Sequence, residues 1–290
     1  PIFNAKGTST RVSGALLAPE VTAAMREAAE YCVDMAEIQA GASRIIAEAT
    51  GAEAGIVTSG AAAGLLLGTA ACVAGLDPAK MARLPDTSGM KNEVVMVRSQ
   101  RNQYDHAIRS AGVQIVEVGL PDRVAGAGVR DAEPWEIAAA VTDRTAAIVY
   151  VPGANARPSI EEVARVANSR HVPLLVDAAA QLPPASNLRR FIAAGADLVA
   201  FSGGKAIGGP QGSGILCGGR DLIMSAVLQQ LDLDIAWQQC SPPATLIDKH
   251  RLAGVPPHGI GRQCKVGKET IVGLLVALRR FLAENEQARH

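Results

Sequence analysis

The 290-residue chain is 48% hydrophobic and 19% charged, the composition of a folded protein with a large core, which excludes a disordered or fibrous chain. Its 28 basic and 28 acidic residues cancel, so no net field draws it to nucleic acid or an anionic membrane, and neither is expected as a partner. The five cysteines, Cys32, Cys72, Cys217, Cys240 and Cys264, form no CxxC pair; this argues against a disulfide framework or a metal site and fits a reducing cytoplasm, and apolar runs such as 64–67 and 271–277 are too short to span a bilayer.

Short β-branched runs alternate with helical stretches, the pattern of an α/β fold with a mostly parallel sheet covered by helices on both faces. The spacing predicts helices over Pro19–Tyr31 and Ala36–Ala49, a strand over Ala54–Thr58 and a helix over Ala61–Val73. Strands follow at Glu93–Val97 and Val113–Val118, a helix at Pro134–Val141, a strand at Ala146–Val151 and a helix at Ser159–Ser169. Ser159 is the expected N-cap of that last helix, with Glu162 as its capping-box partner. Strands at Val172–Val176, Asp197–Phe201 and Ser213–Cys217 complete the sheet, and a long helix closes the chain at Lys268–Ala283. Pro- and Gly-rich stretches at 241–243 and 254–261 read as irregular connections. The expected division is an N-terminal helical segment (1–50), a cofactor-binding large domain (51–240), and a connection with the long terminal helix (241–290).

Three segments carry chemistry. Leu174-Leu175-Val176-Asp177 is an apolar strand that delivers a carboxylate at its carboxyl end, the edge of an open α/β sheet where ligands bind. A carboxylate desolvated there needs a cation or donor, and the N–H of a pyridinium ring is one. Asp197–Phe201 is a second such strand, followed by Ser202-Gly203-Gly204-Lys205. An amine among glycines at a strand end, in a chain with only seven lysines, suits Schiff-base formation and proton transfer, and Ser202 has a hydroxyl to offer a phosphate. The third segment, Ile56–Gly64, turns from strand to helix through Ser59, Gly60 and Ala61, whose N–H groups at a helix start can hold a phosphate. A phosphate cradle, a ring-nitrogen partner and an aldehyde-capturing amine together read as a pyridoxal 5′-phosphate (PLP) site, with Lys205 and Asp177 as catalytic residues.

The order of these features resembles that of fold-type I PLP enzymes, and more closely the branch of bacterial L-seryl-tRNA(Sec) selenium transferase and D-glucosaminate-6-phosphate ammonia-lyase. The resembling stretches are Ile2–Thr8, Thr50–Ala54, Val176–Ala179, Phe201–Lys205 with Gly208–Gly212, and Lys265–Glu269. The resemblance implies an aminotransferase-like large domain and a homodimer or higher homo-oligomer with active sites at subunit interfaces; members of the branch usually add a small C-terminal domain after the long helix, which is expected to be reduced or absent here, or the sequence is a fragment. It also implies an aromatic ring on the cofactor face, for which Tyr104 and His106 are alternatives. Ala179 and Gln181 follow the Asp177 strand, and Gln181 is a candidate for the cofactor's phenolic oxygen, with exposure to water as its other reading.

A small anionic amino-acid-like substrate needs a guanidinium or ammonium group. Arg262 and Lys265 are the expected contacts, with Arg44 and Arg101 behind them; a merely solvated loop is the structural alternative. The expected reaction is α-proton abstraction by Lys205 followed by β-elimination, of the ammonia-lyase or dehydratase type. β-Replacement, transamination, racemisation and non-catalytic cofactor binding are the alternatives.

Overall fold

The computed structural model describes residues 5–120, 131–154 and 156–284, so Ile2-Phe3-Asn4 of the first resembling stretch lies outside the described residues. In chain order the elements are α1 (Pro19–Ala29), α2 (Met35–Thr50), β1 (Ala54–Thr58), α3 (Gly60–Ala74), α4 (Pro78–Arg83), β2 (Glu93–Val97), α5 (Asp105–Arg109), β3 (Gln114–Val118) and α6 (Pro134–Ala140). There follow β4 (Thr145–Tyr150), α7 (Ile160–Ser169), β5 (Leu174–Asp177), α8 (Asn187–Ala193), β6 (Leu198–Ser202), β7 (Gly214–Gly218), α9 (Arg220–Gln230) and α10 (Lys268–Ala283).

All seven expected strands form, within two residues of their expected ends, and build one sheet in the order β1-β7-β6-β5-β4-β2-β3. The pairs from β3 through β6 are parallel, whereas β7 runs antiparallel to both β1 and β6. Residues in β1, β4, β5 and β7 are buried throughout, as a sheet covered on both faces requires, while edge strand β3 is largely half-exposed. Strand alternation divides the core in two. Val199 and Phe201 of β6 face the side covered by α1, α2, α7, α8 and α10, and Leu198 and Ala200 face α3 and α9.

Helix α3 is apolar nearly all round because it lies between the sheet and α9. Its glycines permit close approach: a Cβ on Gly68 would sit 3.2 Å from Leu175 Cδ1. Helix α9 shows no apolar stripe in sequence, because Ser225, Gln229 and Gln230 interrupt it, yet all three are buried. The capping box of α7 is present: Glu162 N–H donates to Ser159 Oγ at 3.3 Å and Ser159 N–H to Glu162 Oε2 at 2.8 Å.

At the edge of the sheet, α2 covers β1. Gln39 lies against Val57 like a neighbouring strand: Val57 N–H donates to Gln39 Oε1 at 3.0 Å, and Gln39 Nε2 donates back to Val57 O at 2.8 Å. Gln230 Nε2 adds a donor to the same carbonyl at 3.2 Å, and Gly55 N–H donates to Ser43 Oγ at 3.1 Å. The edge is thus closed by side chains rather than by another strand. Helices α1 and α10 pack on each other beside this face, so the first and last described helices join one layer.

Candidate active site

The reversed strand β7 sets the geometry. Gly214 pairs with Thr58 on one side and Ser202 on the other, so the carboxyl ends of β1 and β6 flank it; with strands about 4.8 Å apart, the two ends lie roughly 10 Å from each other. On the next strand, Asp177 pairs with Ala200. The turn into α3, the lysine loop and the carboxylate therefore share one sheet edge, and the sequence candidates Ser59, Gly60, Ala61, Asp177, Ala179, Ser202 and Lys205 are brought together.

Asp177 is 8% exposed, and its Oδ1 accepts the Ala179 N–H at 3.1 Å. Burial pushes its carboxyl above the usual carboxylate range, opposed by that N–H and by the charge of Lys205. Lys205 is half-buried in a tight turn in which Gly208 N–H donates to the Lys205 carbonyl at 3.0 Å and Gly209 N–H to Gly203 O at 2.9 Å. The glycines before the lysine are sterically required: a Cβ on Gly204 would lie 2.5 Å from Gln211 Cα, and one on Gly203 would overlap Ser213 Oγ.

At the start of α3, Gly60 has φ +84°, and the Gly214 backbone is pressed against it with no room for a side chain. The Ser59 hydroxyl donates to Cys264 O at 2.7 Å, which ties the segment before α10 to the cradle and leaves the first-turn backbone N–H groups as the donors for an anion.

The remaining candidates are placed differently. Tyr104 is 62% exposed and His106 is exposed, because Arg101 and Arg109 both grip buried Asp105 and fold the segment into a turn and short helix that faces them outward. Burial raises the Asp105 carboxyl, but the two guanidinium groups outweigh it and hold it below the usual range. Besides Asp105, the segment buries Gln100, which sequence reasoning missed and which no local signal marks. It is 7% exposed, and its Oε1 accepts Val151 N–H at 2.9 Å. That hydrogen bond fixes the amide orientation and leaves Nε2 with no partner among the described residues. Gln181 Nε2 donates to Pro152 O at 2.9 Å.

Of the four cations, Arg262 is engaged by Asp232 Oδ2 at 3.2 Å and the Gln230 carbonyl at 3.4 Å, and Arg101 by Asp105 and Glu117. Lys265 is exposed and shares with Arg262 the wall of a cavity of about 760 Å³ that Gln39, Gln230 and Asp232 also line, on the β1 side of the sheet; Arg44 is exposed on α2. A second hollow of about 610 Å³, lined by His171 and Asp197, lies at the amino end of β6, away from this chemistry.

The donor set fits PLP: backbone N–H groups for its phosphate, a buried carboxylate for its ring nitrogen, a half-buried amine for its aldehyde, and an unpaired buried amide on the same edge. A mostly parallel seven-stranded sheet with β7 reversed, bearing Asp177 and Lys205 at neighbouring strand ends, is the large-domain architecture of the fold-type I PLP enzymes.

Residues 2–236 match the family model described as L-seryl-tRNA selenium transferase (SelA), and the chain belongs to that family. It is 36% identical to a Streptomyces 5′-C-glycyluridine monooxygenase-decarboxylase, over all of this chain and 65% of that protein. It is 33% identical to the D-glucosaminate-6-phosphate ammonia lyase of Salmonella typhimurium, over 97% of this chain and 67% of that protein. The solved structure of a D-glucosaminate-6-phosphate ammonia-lyase superposes with a TM-score of 0.78 over 96% of this chain and 67% of the other, at 33% identity. An aminotransferase of Helicobacter pylori, PseC, shares the fold at 13% identity with a TM-score of 0.61. The chain thus spans about two thirds of the length of these two curated relatives. Among the described residues, no helix is long and apolar enough to cross a membrane.

Proposed function

We propose that this chain is the catalytic core of a PLP-dependent lyase that acts on a small amino acid by α-proton abstraction and β-elimination, working as a homo-oligomer in the cytoplasm. The observation that carries this reading is the placement of a buried carboxylate, Asp177, and a half-buried amine, Lys205, at the same ends of the neighbouring strands β5 and β6. When bound, PLP supplies an electron sink for the carbanion formed next to the substrate amine.

Gly60 and Ala61, in the first turn of α3, present N–H groups to the phosphate. Asp177 would accept the N–H of the ring nitrogen and, as an anion, would keep the proton there. Lys205 Nζ would hold the aldehyde of the cofactor and, as a free amine, would take the proton from the substrate α-carbon. Gly203 and Gly204 let the backbone fold tightly enough to hold this amine at the strand end. Loss of a β-hydroxyl as water, then hydrolysis of the C–N bond, leaves a 2-oxo acid and ammonia. The likeness to an ammonia lyase in sequence and structure supports this outcome.

The 36% identity to a monooxygenase-decarboxylase supports a second reading, oxidative loss of carbon dioxide from the same site. The test is to incubate the cofactor-loaded protein with β-hydroxy amino acids, aerobically and anaerobically, and to measure 2-oxo acid, ammonia and oxygen uptake. Elimination releases ammonia and 2-oxo acid equally under both conditions. Oxygen consumption matched to carbon dioxide release establishes the second reading instead. Borohydride reduction must fix the cofactor on the peptide containing Lys205, and Lys205→Ala must abolish that adduct; an adduct that survives in this variant sinks both readings.

A further inference from the structure

The segment before α1 is fastened to the loop that carries Lys205. Ala15 N–H donates to the Gly204 carbonyl at 3.1 Å, and Gln211 Nε2 donates to the Thr10 carbonyl at 2.9 Å. Between these two anchors, Gly14 is pressed onto the residue that precedes the lysine: a Cβ there would stand 2.5 Å from Gly204 O. The chain can make this approach because Ser13 and Gly14 both take left-handed conformations, with φ of +71° and +72°. Ser13 N–H returns to Thr10 O at 3.1 Å and Gly14 N–H to Ser9 O at 3.0 Å, which closes residues 9–14 into a hook.

The hook carries one charged side chain, Arg11, in its single 3-10 turn (Thr10–Val12). Arg11 is exposed and makes no hydrogen bond or ion pair among the described residues. This sets it apart from Arg262, held by Asp232, and from Arg101, held by Asp105 and Glu117. A guanidinium whose planar fork is already filled by a carboxylate must break that pair to receive a ligand; Arg11 has no such pair to break among the described residues. Its backbone is tied on both sides to the loop that carries Lys205, which places the hook beside the segment of the reacting amine.

We propose that Arg11 binds the anionic group of the substrate, a carboxylate or phosphate oxygen pair, at the mouth of the Lys205 site. The proposal rests on the reading that Lys205 receives an amino-acid substrate, and it names that substrate's class as anionic.

The test is isothermal titration calorimetry of the 290-residue chain and its Arg11→Ala and Arg11→Lys variants with three probes, O-phosphoserine, serine and serinamide, each as both enantiomers. Calorimetry needs no chromophore. Because Arg11→Ala removes a charge-assisted hydrogen bond, it is expected to weaken binding of the anionic probes by about tenfold or more and to leave serinamide unchanged, while Arg11→Lys recovers part of the affinity. Weaker binding of O-phosphoserine but not serine assigns Arg11 to the phosphate; equal weakening of both assigns it to the carboxylate. The proposal is overturned if all three probes bind Arg11→Ala as they bind the original chain, if serinamide weakens as much as serine, or if neither anionic probe binds the original chain. A borohydride-reducible visible band on the original chain reports on the cofactor reading separately, so failure of that reading is distinguishable from failure of the Arg11 assignment.

Discussion

Asp177 sits in a position that works against it until a partner arrives. Burial raises its carboxyl, and the Ala179 N–H and the Lys205 charge oppose the rise without cancelling it. A carboxyl whose folded pKa is raised favours the fold while it is protonated. Its contribution is complete below the unfolded value of about 3.9 and is lost as pH rises through the folded value. At neutral pH the ionised side chain therefore destabilises the cofactor-free protein. Asp177→Asn is expected to raise the Tm of that form at pH 7 by about 2–4 °C, a change on the order of 1 kcal/mol for a chain of this size, and to leave it unchanged near pH 3. The same variant loaded with cofactor should lose about a hundredfold or more in turnover, since a neutral amide does not hold the ring-nitrogen proton. Differential scanning fluorimetry and steady-state kinetics check the two halves, and a lower Tm at neutral pH would contradict the assignment. The position of Asp177 at a strand end was legible from its apolar run. The role of Gln100 was not, because its burial depends on Val151, a residue distant in sequence and at the end of another strand.

At the scale of elements, the seven strands were readable because continuous apolar, β-branched runs bounded by turns have few other homes. Helix α7 was readable from its capping box and amphipathic stripe, and α9 was not, because its glutamines and serine are buried through partners elsewhere in the chain. Ser225 Oγ donates to the Gly75 carbonyl, and Gln230 Nε2 to the carbonyl of Val57. The closure of β1 by α2 has a measurable cost when removed. Gln39→Leu keeps most of the volume but leaves Val57 N–H without its partner and removes a donor from Val57 O. Gln230 Oε1 also loses the Gln39 Nε2 donor, and each unpaired buried group costs about 1–3 kcal/mol, so a destabilisation of roughly 2–4 kcal/mol is expected in urea unfolding. A value below about 0.5 kcal/mol would show that the edge is held by other groups, such as Ser43 with Gly55.

For the whole molecule, the 28 basic and 28 acidic residues balance at pH 7, and acid removes that balance as the carboxylates protonate, those held by arginines last. Asp105, 5% exposed between Arg101 and Arg109, is held below the usual range, so it stabilises the fold above the unfolded carboxyl pKa and that contribution is lost as pH falls through the folded value. Asp105→Asn is expected to cost about 1–3 kcal/mol at pH 7 and progressively less below about pH 4, so that the two denaturation midpoints converge in acid. A constant gap across that range would assign Asp105 a packing role instead.

The sequence by itself determined the strands, the alternation of helix and strand, and the three segments that meet at the site, because each rests on local burial preference and on glycine where the backbone turns. Only the tertiary structure decided that β7 runs backwards to place Gly214 between Thr58 and Ser202, that Tyr104 and His106 face outward, and that, among the described residues, Arg262 is occupied while Arg11 is free. A charged side chain carries no local mark of its partner. Whether it is spent or available depends on which distant residues the fold sets beside it.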